Sequence, residues 1–205
     1  MQDVHVLTLG LYQSHCYLLQ EGQDLIIVDP GARVDTIQNY IKSLGPVRVL
    51  AIVLTHGHVD HMSAASDLQE IYLCPVYAHP LEYPVIHLKR RVPSAYKGPF
   101  RASLTPIEAG AWQLGPFSLD IYHLPGHSPG HLVIRWKDYL FTGDVLFKGT
   151  VGSTDTYGGS REALGRSLKF LLSLEDALLV YPGHGPETRL GDEKDRLQKR
   201  VQQYT

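Results

Sequence analysis

Four apolar runs in this chain end the same way, in a sharp turn that carries histidine or aspartate. Val49–Leu54 leads into Thr55-His56-Gly57-His58-Val59-Asp60-His61, and Phe117–Leu124 into Pro125-Gly126-His127. Tyr139–Thr142 leads into Gly143-Asp144, and Ala177–Tyr181 into Pro182-Gly183-His184-Gly185. Short β-branched and apolar runs bounded by Gly and Pro are strand signals. Strand ends are where a scaffold of strands and helices positions functional loops, and Gly or Pro at the junction lets the backbone turn sharply. Five of the chain's 11 histidines fall in three of these clusters. A lone His-x-His is a weak signal, but four such clusters at strand ends point to one metal centre.

The remaining pattern is consistent with that placement. Val4–Leu9, Cys16–Gln20 and Leu25–Val28 read as a meander stopped by Asp29-Pro30-Gly31. Val34, Ile37, Ile41 and Leu44 share a helical face over Val34–Leu44, a second helix is expected over Met62–Tyr72, and a strand over Val76–Ala78. His79–Gly110, with five prolines, reads as irregular and partly lid-like. Strands resume at Phe117–Leu124, Leu132–Trp136 and Tyr139–Thr142, and a Gly/Thr/Ser-rich loop covers Gly149–Ser160. A helix over Arg161–Leu174, a strand over Ala177–Tyr181 and a charged surface helix over Asp192–Gln203 complete the chain. Two face-to-face sheets with helices on both outer sides accommodate this order, within one domain covering residues 1–205.

Composition removes several classes of function. Nineteen Lys and Arg against 21 Asp and Glu give a net charge of −2, so neither nucleic acid nor an anionic membrane is an expected partner. No apolar run has the length of a membrane span, and Met1-Gln2-Asp3-Val4-His5 lacks the basic and apolar parts of a signal peptide, so the cytoplasm is the expected location. Cys16 and Cys74 read as buried structural thiols without a disulfide.

The first cluster has its own logic. In extended backbone His56, His58 and Asp60 project to one side, and His61 requires a turn into the next helix. Ligands can then face two adjacent ions. Imidazole and carboxylate ligands without thiolate suit catalytic Zn²⁺, Fe²⁺ or Mn²⁺ with open coordination positions.

His56-x-His58-x-Asp60-His61, His127, Asp144 and His184 together resemble the motif series of the metallo-β-lactamase-fold superfamily. Asp29-Pro30-Gly31, Pro125-Gly126-His127-Ser128-Pro129-Gly130-His131, Phe141-Thr142-Gly143-Asp144 and Tyr181-Pro182-Gly183-His184-Gly185 resemble its glyoxalase II-like branch. The resemblance implies an α+β fold, an αββα sandwich of two mixed sheets flanked by helices. It also implies that His56, His58 and His127 hold one divalent ion, that Asp60, His61 and His184 hold a second, and that Asp144 bridges them. Zinc is the first expectation, with iron or manganese as alternatives. Two such ions sharing a water lower its pKa from about 15.7 towards neutrality, giving a bridging hydroxide that attacks a carbonyl. Asp60 and Asp144 are the catalytic candidates, Asp60 orienting that hydroxide. A thiolate departs with little protonation, so a small-molecule thioester or related acyl compound is the expected substrate.

The sequence departs from glyoxalase II in the parts that hold glutathione. Ser153 stands where the family usually has a cation, Leu197 where it has Asn, and 21 residues follow His184. Lys148 and Tyr157 are weak candidates for substrate contact, read first as a solvated lysine and a packed tyrosine. A mononuclear Fe(II) persulfide dioxygenase, which needs residues matching only His56, His127 and Asp144, is the main alternative, and a lactonase is another. His131 is a candidate to orient a ligand from behind, and Asp29 reads as a buried carboxylate that caps backbone or orients a ligand. His5, His15, His79, His87 and His123 read as ordinary hydrogen-bonding residues. Leu88–Arg101 reads as a cover over the site, with Arg90, Arg91, Lys97 and Arg101 as candidate anion contacts, although a solvated basic face is the plainer account.

Overall fold

The computed structural model describes residues 3–88, 96 and 99–204. The first sheet contains β1 (Val4–Leu9), β2 (Ser14–Glu21), β3 (Asp24–Val28), β4 (Arg48–Val53), β5 (Val76–Ala78) and β6 (Leu104–Pro106), paired in that order. β1, β2 and β3 are antiparallel, and β3 through β6 run parallel. The second sheet has the order β14-β13-β10-β9-β8-β7, from β7 (Gly110–Leu114), β8 (Phe117–His123), β9 (Leu132–Trp136), β10 (Tyr139–Gly143), β13 (Leu179–Pro182) and β14 (Thr188–Arg189). Its pairs are antiparallel except β10 with β13. A small hairpin joins β11 (Leu146–Phe147) to β12 (Thr150–Val151).

Strand alternation produces the layers. Successive side chains point to opposite faces, so Tyr17, Leu19, Ile26, Val28 and Val53 meet Phe117, Leu119, Ile134, Trp136 and Phe141 between the sheets. Their neighbours Leu18, Leu25, Ile27 and Ile52 turn outward onto Ile37 and Ile41 of α1 (Val34–Ser43) and Leu68 of α3 (Ala65–Tyr72). In the second sheet Val133, Leu140 and Val180 pack on Leu164, Leu168 and Leu171 of α5 (Arg161–Leu171) and Leu197 of α6 (Leu190–Tyr204). The result is the expected αββα sandwich of two mixed sheets. Among the described residues no helix is long and apolar enough to cross a membrane.

Several local expectations change. The helix expected over Met62–Tyr72 is two pieces, α2 (Val59–Met62) and α3, because the chain must place His61 before it can pack Leu68. His58 is the last extended residue (φ −76, ψ 145), so the alternation expected to include Asp60 stops there, and Asp60 belongs to α2. The stretch 79–110 is less irregular than its prolines suggest. It holds a 3-10 turn at Pro80–Glu82, α4 (Tyr83–Ile86) and the edge strand β6, where Pro106 is tolerated. The Gly149–Ser160 loop contains β12, and α5 stops at Leu171 rather than Leu174. The closing helix is only partly a surface helix, since Leu190, Glu193 and Leu197 are buried. Cys16 and Cys74 are free, buried thiols.

Candidate metal centre

β4, β8, β10 and β13 finish at one end of the sandwich, and their turns bring the seven expected residues together. His56, His58, His127 and Asp144 offer ligand atoms within 4.8 Å of one another, and so do Asp60, His61 and His184. His58 Nδ1 and His127 Nε2 are 2.9 Å apart, and His61 Nε2 and His184 Nε2 are 3.3 Å apart. Asp60 Oδ2 lies 3.3 Å from His184 Nε2. Asp144 stands between the groups: Oδ2 is 3.4 Å from His127 Nε2, and Oδ1 is 3.4 Å from His61 Nε2.

The atoms turned inward are those a cation needs. His56 Nε2 and Asp144 Oδ1 are buried without a hydrogen-bond partner, an arrangement that costs free energy unless something binds there. The opposite ring nitrogens are occupied. His127 Nδ1 donates to the Ser153 carbonyl at 2.7 Å, and His184 Nδ1 donates to the Tyr12 carbonyl at 3.0 Å. These partners fix the tautomers and leave Nε2 as the ligand atom.

Asp29 anchors both groups. Its Oδ1 accepts from the Thr55 backbone at 2.7 Å, and Oδ2 accepts from Thr55 Oγ1 at 2.5 Å and from His61 Nδ1 at 3.0 Å. Thr55 Oγ1 is in turn 3.0 Å from His56 Nδ1. Asp29 sits at φ +51, a left-handed conformation that aspartate tolerates, which turns its carboxylate beneath the ligand turn. The capping and orienting roles expected of Asp29 are therefore combined in one residue. His131 likewise stands behind the centre: its Nε2 accepts from Asp144 N at 3.0 Å, and its ring stacks on His56 at 4.8 Å.

Close backbone approach explains the glycines of the motifs. A Cβ on Gly183 would lie 2.3 Å from Asp144 Oδ1, and one on Gly31 would lie 1.5 Å from the Asp60 carbonyl. The two sheets are joined here as well. His15 N donates to the Gly183 carbonyl at 2.8 Å, and Ser14 bridges to His184.

The two groups differ electrostatically. Burial lowers His56 below the ordinary imidazole range, with neighbouring imidazoles adding to it, and burial also lowers His127 despite nearby Asp144. Burial would lower His61 too, yet Asp144, Asp29 and Asp60 hold it up to about 10. Burial would raise Asp60, but the hydrogen bond from His184 and the charge of His61 bring it down to about 2.

The bland reading of the other histidines agrees with their contacts. His5 bonds Gln20 and Tyr40, His79 stacks on His123, and His87 lies against Phe100. Lys148 is exposed, as a solvated lysine would be. Tyr157 is 53% exposed rather than packed. Ser153 acts through its carbonyl, its own hydroxyl accepting from Asp155 N, while Leu197 lies in the core under α6. Arg101 is paired with Asp67 and Glu70 of α3. Arg90, Arg91 and Lys97 lie outside the described residues. Sequence reasoning missed Glu82, whose carboxylate accepts from Gly57 N and Gly130 N. It also missed Thr55, although that residue directly precedes the first candidate ligand, His56.

The profile of the metallo-beta-lactamase superfamily matches residues 9–184. A probable metallo-hydrolase, YqgX of Bacillus subtilis, is 36% identical over 196 residues, covering 92% of each chain. The hydroxyacylglutathione hydrolase GloC of Haemophilus influenzae is 30% identical over 207 residues, covering 94% of this chain and 95% of the relative. The solved structure of TTHA1623 in a di-iron-bound form is 38% identical and superposes with a TM-score of 0.85, over 92% of this chain and 96% of the other. The match runs through all seven clustered residues, and the chain belongs to the metallo-β-lactamase superfamily.

Proposed function

We propose that this protein is a thioester hydrolase whose centre uses His56, His58 and His127 for one divalent ion and Asp60, His61 and His184 for a second. The observation that carries the reading is Asp144, whose two oxygens each lie 3.4 Å from a histidine of a different group. Ions held by these residues would supply a hydroxide near neutral pH and charge to stabilise a developing oxyanion. Zinc is the ion proposed first; the di-iron form of TTHA1623 supports iron as the alternative.

The chain's own residues do the rest. Asp60, ionised throughout the neutral range, is an acceptor that orients the attacking oxygen's proton. Asp29, Thr55 and Ser153 hold the imidazoles so that their free nitrogens stay aimed inward. A thiolate leaving group needs little protonation to depart. The substrate is a small acyl compound rather than a nucleic acid or a membrane surface.

GloC, similar over nearly its whole length, supports hydroxyacylglutathione as a candidate substrate. The surroundings argue for weak recognition of its glutathione part. Ser153 contributes a carbonyl, Leu197 is buried, and Lys148 and Tyr157 are exposed. Each missing charge-assisted hydrogen bond weakens binding by about 1.5–3 kcal/mol. S-lactoylglutathione is therefore expected to be cleaved with a high KM, and thioesters of small thiols or coenzyme A as well or better.

The deciding experiment measures metal content and then kcat and KM across that substrate panel, with and without oxygen. Less than one equivalent of metal after reconstitution overturns the two-ion reading. Oxygen consumption with glutathione persulfide, with thioesters and lactones untouched, replaces hydrolase by dioxygenase. A micromolar KM confined to the glutathione ester shows that other residues have rebuilt the glutathione site.

A further inference from the structure

Glu82 belongs to neither group of candidate ligands, yet its carboxylate lies between the loops that carry three of them. β5 runs parallel beside β4, so both strands finish at the same edge and the turn Pro80–Glu82 lands against the turn containing His56 and His58. Glu82 is fully buried there. Oε2 accepts from Gly57 N at 2.7 Å, and Oε1 accepts from Gly130 N at 2.6 Å. Gly57 separates His56 from His58, while Gly130 lies between His127 and His131.

Both glycines are shaped to admit this carboxylate. A Cβ on Gly57 would lie 3.0 Å from Glu82 Oε2 and 2.7 Å from Ile86 Cγ1. One on Gly130 would lie 2.9 Å from Glu82 N and 3.0 Å from Glu82 Cγ. The turn is itself held, since Glu82 N donates to the His79 carbonyl at 2.8 Å and His79 Nδ1 accepts from Leu81 N at 3.2 Å. Hydrogen bonds to an ionised acceptor are shorter and stronger than neutral ones, and one carboxylate here ties two otherwise separate backbones. The bond at Gly130 also reaches Asp144 indirectly, because the next residue, His131, accepts from Asp144 N.

We propose that Glu82 is a positioning residue for the first ion, setting the separation between the loop that presents His56 and His58 and the loop that presents His127. It touches no reacting atom. The proposal rests on the metal reading and is independent of the substrate class.

Glu82→Gln keeps the side-chain shape but turns an amide NH₂ towards one of two backbone donors. With this variant, stepwise metal titration against a competing chelator should show the first ion bound about 10- to 100-fold more weakly, with the second ion less affected. The visible spectrum of the cobalt-substituted variant should change at the first ion. Two ions bound with wild-type affinity and an unchanged cobalt spectrum, while only Tm falls, overturn the proposal and leave Glu82 a purely structural residue. Wild-type protein that takes up no metal overturns the metal reading and this proposal with it. Should Glu82→Gln fail to fold, amide exchange in the metal-free wild-type protein decides. Protection of Gly57 and Gly130 by about 100-fold or more supports a brace formed before the ion arrives, and free exchange at both overturns it.

Discussion

The two halves of the centre are built on opposite principles. Around His56, His58 and His127 the supporting partners are largely neutral: the Thr55 hydroxyl, the Ser153 carbonyl and the stacked ring of His131, with Glu82 bonded to the backbone amides of Gly57 and Gly130. Around Asp60, His61 and His184 carboxylates dominate: His61 touches Asp29, Asp60 and Asp144 at 3.0, 3.7 and 3.4 Å, while His184 also donates to the Tyr12 carbonyl. One half holds imidazoles ready in neutral form. The other already contains an ion pair, and a metal ion entering it would have to displace a proton. Similar residue types therefore give two candidate sites that should differ in their sensitivity to acid and to loss of support.

The harshest way to break the comparison is to remove what the halves share. Asp144→Ala should lower kcat/KM for a thioester by about a thousandfold, or about 4 kcal/mol, and metal content should fall to one equivalent or less by elemental analysis. Retention of two equivalents would show that the halves do not depend on Asp144.

Acid should separate the halves without any mutation. His61 is held at about 10, so it carries a proton throughout the neutral range, and an ion can bind its Nε2 only as that proton leaves. Lowering the pH from 8 to 6 should weaken the second ion about tenfold per unit, about 100-fold in all. The first ion should change far less, because burial keeps His56 and His127 in the neutral form. Chelator competition at each pH reads both constants, and parallel slopes would erase the distinction.

Asp29→Asn sharpens it further. Asp29 supports His61 directly and His56 only through Thr55, so the second ion should lose about 10- to 100-fold in affinity and the first less. The smallest effects belong to the exposed rim. Lys148→Ala and Tyr157→Ala should change stability by less than about 0.5 kcal/mol in denaturant unfolding and leave small-thioester turnover within about twofold.

Much of this was legible in the residues. Val4–Leu9, Val76–Ala78 and Leu132–Trp136 fall on the expected strands, because apolar runs between turn residues carry their own signal. The seven clustered residues announced themselves through spacing and Gly or Pro at each turn. What escaped had no local pattern. β6 is three residues long and ends in proline, and β7 has no fully buried position to mark a face. The break between α2 and α3 follows from where His61 must point, not from periodicity. Glu82 is one carboxylate in a proline-rich stretch. Only the parallel pairing of β5 with β4, a tertiary fact, brings it beside Gly57.

The bridge between Ser14 and His184 also sets an order in time. His184 is steadied by the Tyr12 carbonyl, a partner 172 positions earlier, and Tyr17 donates its hydroxyl hydrogen bond to the Pro182 carbonyl. As the chain is synthesised, the other six clustered residues and their supports Asp29, Glu82 and His131 all emerge before His184 does. The turn at Tyr12 must wait through nearly the whole length of the nascent protein for the residue it holds. Closure of so long a loop is a late and slow event in folding. His184 is therefore the last of the seven clustered residues to appear, and its place beside Asp60 and His61 is filled as one of the final acts of assembly.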